Sequence, residues 1–275
     1  MKKTQLILIV VGIIAVAILY MLPSVVVDNE GQAEGVAQDA AAAQTQTSDA
    51  INEHVTEVSP DQKLQINTLK LQVKQNSEGE GSISSLEKLA EIYQELGKYD
   101  SAGYYLALAA DQQPGDGFEE KAGNSYYEAF TFALDPDKVT STAEQTRKYL
   151  SMVLDEDPSR LDLKTKIAMT YVSSSNPMQG ITMLREVLEQ DPHNEEGLFN
   201  MGVLSMQSGQ YKRAIERFEE LNEYHPTNLQ GQFYLGVSYF EANQKRKAKE
   251  QFEKVQTMTE DPMILDSVSG YLDKL

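Results

Sequence analysis

Between Leu89 and Pro114 the chain reads LAEIYQELGKYDSAGYYLALAADQQP, and between Met201 and Pro226 it reads MGVLSMQSGQYKRAIERFEELNEYHP. Both segments set a hydrophobe, a small neighbour, a glycine, a tyrosine, an alanine and a closing proline at the same intervals. In the first these are Leu89, Ala90, Gly97, Tyr99, Ala102 and Pro114; in the second they are Met201, Gly202, Gly209, Tyr211, Ala214 and Pro226. Two further copies keep the frame, through Ile167, Ala168, Tyr171, Gly180, Leu184 and Pro192, and through Leu235, Gly236, Tyr239, Ala248 and Phe252. The interval is 34 residues. Within 195–228, Leu198, Met201, Gly202 and Ser205 form one stripe at helical spacing, and Ala214 and Phe218 form another. Gly209 stops the first predicted helix and Pro226 the second. A pair of this kind cannot bury both faces alone, so the pattern predicts stacked hairpins.

Leu89 and Met201 lie 112 residues apart, three periods plus ten, so one intervening unit is longer than the rest. The surplus falls around the Asp135-Pro136 turn signal, between EEKAGNSYYEAFTFAL and TRKYLSMVLDEDP. The pattern resembles the tetratricopeptide repeat family over residues 83–262, in units 83–116, 117–160, 161–194, 195–228 and 229–262. Ser205 stands where an aromatic is usual, Lys245 where Tyr99 and Tyr211 stand in other units, and Pro177 lies in the third turn. Residues 263–275, MILDSVSGYLDKL, read as a capping helix. The resemblance implies an all-α fold, a tetratricopeptide-type α-solenoid of helix-turn-helix repeats.

Ahead of the repeats, residues 63–82 hold KLQINTLKLQVKQ, whose apolar spacing fits a helix or a strand, and the breaker SEGEGS. Residues 28–62 read as an acidic spacer of low complexity: Asp28 to Pro60 carry seven Asp and Glu and no Lys or Arg. Residues 1–27 read as an N-terminal transmembrane helix. Leu6 to Leu22 is an uncharged run of seventeen residues, about 25 Å of helix. Within residues 1–27 the sole A-x-A triplet, Ala15 to Ala17, lies inside that run rather than after it, which favours a retained anchor over a cleaved signal. Lys2 and Lys3 precede it and the next basic residue is Lys63, so the expected topology is single-pass, N-terminus in the cytoplasm and repeats in the periplasm or outside.

The formal charge is -18, which disfavours nucleic acid and anionic lipid as partners of the folded part. There is no cysteine, hence no disulfide, thiolate metal site or Cys nucleophile. His54, His193 and His225 lack ligand spacing, and no phosphate loop, nucleophile elbow or calcium loop is present. No catalytic residue, metal or cofactor is therefore assigned, and the expected role is binding rather than catalysis.

In the family, ligands lie against the first helices of the hairpins. Carried onto this chain, that rule implies an apolar peptide-binding groove of Met169, Val172, Phe199, Val203, Met206, Phe233, Val237 and Phe240. Its acidic end is Glu87, Glu91 and Glu95. The family's carboxylate clamp is not matched: Asn200 holds one of its places, but Glu87, Glu91, Gln230 and Tyr234 hold others. Two readings of the apolar stripe stay open. It receives a helix or extended peptide of another protein, or it packs internally against adjacent helices, the cap or Lys63 to Gln75. The sequence thus predicts a membrane-anchored adaptor or assembly factor, with the lipid bilayer as partner of the N-terminal helix. The alternative is a self-association module in which the groove forms a homodimer.

Overall fold

A computed structural model describes residues 58–76 and 79–275, which form the compact unit Val58–Leu275. The expected anchor and most of the spacer lie outside the described residues. No helix among the described residues is long and apolar enough to cross a membrane. Twelve helices are described: α1 Pro60–Gln75, α2 Glu80–Glu95, α3 Tyr99–Gln112, α4 Phe118–Thr131, α5 Pro136–Glu156 and α6 Leu161–Val172. They continue as α7 Pro177–Gln190, α8 Glu195–Gln207, α9 Tyr211–Tyr224, α10 Leu229–Glu241, α11 Lys245–Gln256 and α12 Pro262–Leu272.

The ambiguous segment after the spacer is a helix, and its start explains why. Ser59 accepts a hydrogen bond from the Gln62 amide at 3.2 Å, and Gln62 Oε1 accepts one from the Ser59 amide at 3.0 Å. This capping box, with Pro60 in the first turn, starts α1 three residues before Lys63. Ile66 and Leu69 then bury against Leu89, Ile92 and Leu96 of the next hairpin. The repeats reuse their own caps. Asn194 and Asn228, one period apart, accept from the amides of Gly197 at 2.9 Å and Gly231 at 2.6 Å, starting α8 and α10. Gly97, Gly209 and Asn243 share a repeat position in the hinge and all take positive φ, 67°, 69° and 56°. That geometry costs glycine nothing and asparagine little.

Each helix packs chiefly on the helices before and after it, so the core is a string of clusters along the chain. In the last two hairpins the helices approach closely where a small residue faces a ring. A Cβ on Gly202 would sit 2.7 Å from the Phe218 ring, and one on Gly236 would sit 2.7 Å from the Phe252 ring. Phe218 and Phe252 are completely buried. Units are also clipped by buried polar groups. Gln232, with no exposed surface, donates to the Pro226 carbonyl at 3.0 Å and accepts from Gln251 at 2.6 Å through its Oε1. The long unit places its surplus mainly in its second helix: α5 has 21 residues, where α3, α7 and α9 have 14.

Candidate binding groove

Of the first helices of the hairpins, α2, α6, α8 and α10 carry the side chains singled out from the sequence, and these fall into three environments. At the N-terminal end, a cleft of about 370 Å³ opens between α2 and α4. Ala90, Tyr99 and Leu106 contribute its apolar surface, and Glu87, Glu91 and Glu128 its carboxylates. Lys121 pairs with Glu87 at 2.6 Å and lies 5.0 Å from the Phe118 ring centroid. Gln94 donates to the Ser125 hydroxyl at 2.9 Å across the two helices. Glu91, Glu95 and Glu128 form no ion pair among the described residues, and all three are exposed.

Charge farther along is more balanced than the sequence reading implied. Arg160 donates to both oxygens of Glu120, at 2.9 and 2.7 Å, and to both of Asp162, at 3.0 and 2.8 Å. Hydrogen bonding to that guanidinium holds both carboxyls below their ordinary range. Lys166 donates to Asn124 at 2.7 Å and lies 5.8 Å from the Tyr127 ring centroid. Burial pushes the Tyr127 phenol up to about 12.

In the middle, Met169 and Val172 on α6 and Phe199, Val203 and Met206 on α8 are half-buried. Phe199 sets its edge against Phe218 and Tyr234, with centroids 6.1 and 5.7 Å apart. At the C-terminal end the chain fills its own groove. Val237 is buried, and Tyr271 of α12 lies edge-on to Phe233 at 6.0 Å and Phe240 at 5.3 Å. The same ring stacks on Phe252 at 5.0 Å. Thus Phe233, Val237 and Phe240 belong to the packing of the last hairpin and its cap. The reason is local: α12 falls where another first helix would, and its apolar face takes the stripe that α10 presents.

Sequence reasoning missed Lys121, Asn124, Ser125 and Glu128, the α4 wall of the cleft. The signal was present. Lys121 stands one period after Glu87, so the frame persists through the first helix of the long unit and is lost only afterwards. A second cleft of about 380 Å³ lies among α3, α4 and α5, with Tyr104, Tyr126 and Tyr149 on its walls. There Lys138 pairs with Asp100 at 2.9 Å. Burial alone would raise that carboxyl, but bonds from Lys138 and the Ser101 amide hold it lower than usual.

His54 lies outside the described residues, whereas His193 and His225 have packing roles. His193 stacks on Tyr224, and His225 Nε2 contacts the His193 carbonyl at 2.7 Å, joining two turns that precede successive hairpins. No group of three or more His, Asp or Glu suited to a metal ion occurs among the described residues.

A periodic array of helical hairpins, with a mixed polar and apolar cleft across its first helices, defines an α-helical repeat protein. Comparison with known proteins supports the same class. A tetratricopeptide repeat family model matches residues 171–232 and 205–262, and the two starting points lie one period apart. A tetratricopeptide repeat protein from Parabacteroides merdae has a similar fold, with a TM-score of 0.56 at 18% identity over 75% of this chain and 77% of that one. So does TTC0263, a thermophilic tetratricopeptide protein of Thermus thermophilus, at 0.50 and 14% over 69% of this chain and 98% of that one. At these identities the likeness speaks for the fold. No curated protein matches.

Proposed function

We propose that this protein is a membrane-anchored adaptor or assembly factor that holds its repeat array outside the cytoplasm and captures a helix or extended peptide of another protein. The single observation that carries the binding role is the cleft between α2 and α4. Its apolar surface is rimmed by carboxylates, two of which, Glu91 and Glu128, form no ion pair among the described residues. A partner segment with a Lys or Arg beside an apolar residue satisfies both halves of that surface. The half-buried Phe199, Val203 and Met206 extend it toward α8. The anchoring role rests on the uncharged run Leu6 to Leu22, and the orientation on Lys2 and Lys3. The spacer between them and the array carries no Lys or Arg, so it is a poor occupant of an acidic cleft.

The test is photocrosslinking in cells from a probe at Glu91, with Glu216 on the exposed side of α9 as control. A discrete adduct with a different protein, formed from Glu91 and not from Glu216, is the expected result. Equal adducts from both positions, or none from Glu91, would remove the cleft from consideration as the recruitment site.

A further inference from the structure

The outermost described helices both keep the 34-residue frame, and they hold opposite halves of a hairpin. Gly270 of α12 stands one period after Gly236 and two after Gly202, the small residues of first helices. Gln72 of α1 stands one period before Leu106, in the place that Phe218 and Phe252 fill in second helices. In α8 and α10 that glycine is covered by the ring of its own second helix, at 2.7 Å from an added Cβ. A Cβ on Gly270 would meet nothing within 4 Å. The face of α12 that corresponds to the hairpin interior is open, with Met263 59% exposed and Asp266 and Asp273 beside it. In α1 the relation is reversed. Ile66 and Leu69 bury against α2, whereas Leu64 and Leu71, on the opposite side, are 68% and 58% exposed.

Charge matches these two faces to each other. Lys63, Lys70 and Lys74 lie along one flank of the exposed side of α1. Lys70 is engaged over the Tyr93 and Tyr105 rings, at 5.7 and 6.0 Å from their centroids. Lys63 and Lys74 are exposed and form no ion pair among the described residues. Glu260 and Asp261 precede α12, adding to Asp266 and Asp273.

We propose that a second copy of this chain docks end to end, with α1 of one copy seated as the second helix against α12 of the next. Leu64 and Leu71 then flank the Gly270 notch, and Lys63 and Lys74 meet the α12 carboxylates. The contact joins unlike surfaces, so it propagates into a row of copies rather than closing as a two-fold pair. It leaves the cleft between α2 and α4 untouched and is independent of what that cleft binds.

The absence of cysteine makes the test direct. Full-length Gln72→Cys and Gly270→Cys chains are oxidised separately, mixed, and together in one double variant. The expected outcome is no dimer from either alone, a heterodimer from the mixture, and a ladder from the double variant. Lys63→Glu with Lys74→Glu in the Gln72→Cys chain lowers heterodimer yield at least tenfold. Asp266→Lys with Asp273→Lys in the Gly270→Cys chain restores it, which separates pairing from misfolding. Bonds only between like positions, adducts only to a different protein, no bond in the mixture, or failure of the reversed charges to restore it would each overturn the proposal.

Discussion

Removing the Phe252 ring tests how the array distributes its stability. The side chain is completely buried, stacks on Tyr271 with centroids 5.0 Å apart, and approaches Phe233 at 6.0 Å. Phe252→Ala deletes a large core group whose neighbours belong to α10, α11 and α12, and such truncations cost roughly 3–5 kcal/mol. In a solenoid this loss falls on the unit and its immediate contacts rather than on the whole. Amide exchange by mass spectrometry should therefore show protection in α10–α12 falling by about two to three and a half orders of magnitude, near 1.4 kcal/mol per decade. Protection in α2–α4 should be unchanged. A companion substitution fixes the cause. Gly236→Ala in the parent forces a methyl to 2.7 Å from the Phe252 ring, an overpacking cost of about 1–3 kcal/mol. In the Phe252→Ala background the clash is gone, and the higher helix propensity of alanine makes the change stabilising by up to about 1 kcal/mol. An unchanged sign in the second background, or an equal loss of protection in α2–α4, would refute the reasoning.

Gln232→Leu should lower the thermal midpoint and cost about 1–3 kcal/mol, because the Pro226 carbonyl and Gln251 lose their buried partner; an unshifted melting curve would count against the clip. The Arg160 network gives a pH signature. Glu120 and Asp162 have lowered folded-state pKa values, so their contribution is present above the ordinary carboxylate range and is lost as pH falls through the folded values. Arg160→Gln should flatten that acid-side fall in chemical denaturation, by no more than about 1 kcal/mol for groups so near solvent, and leave stability above neutral pH lower than the parent's. Glu91→Lys with Glu128→Lys should abolish the partner adduct read from a probe at Gln94 while leaving circular dichroism and melting unchanged. A retained adduct would mean that the carboxylates do not recruit.

The hairpins were legible because their spacing is itself the packing rule. A glycine or alanine beside a hydrophobe, one period from its copies, can only mark where two helices touch, and Gly202 and Gly236 do so against Phe218 and Phe252. The groove was less legible. Phe233, Val237 and Phe240 satisfy the spacing of a binding stripe and of a core equally well, and only the position of Tyr271 tells which. Conversely, the α4 wall of the cleft lay in frame but beside an irregular turn, and the extra length in the unit hid the register. The type of α1 turned on one cap, Ser59 with Gln62, which apolar spacing does not report.

The long α5 has a consequence for recognition. A regular array offers a bound segment nearly the same surface every 34 residues, so a ligand displaced by one unit would lose little. At 1.5 Å per residue, seven additional residues lengthen one helix by about 10 Å and make its unit unlike any neighbour. That irregularity acts as an index mark: it breaks the translational degeneracy of the scaffold. Under the proposed binding role, the cleft built on α4, the partner of α5 in that unit, is a position that a sliding polypeptide would not mistake for the next one along.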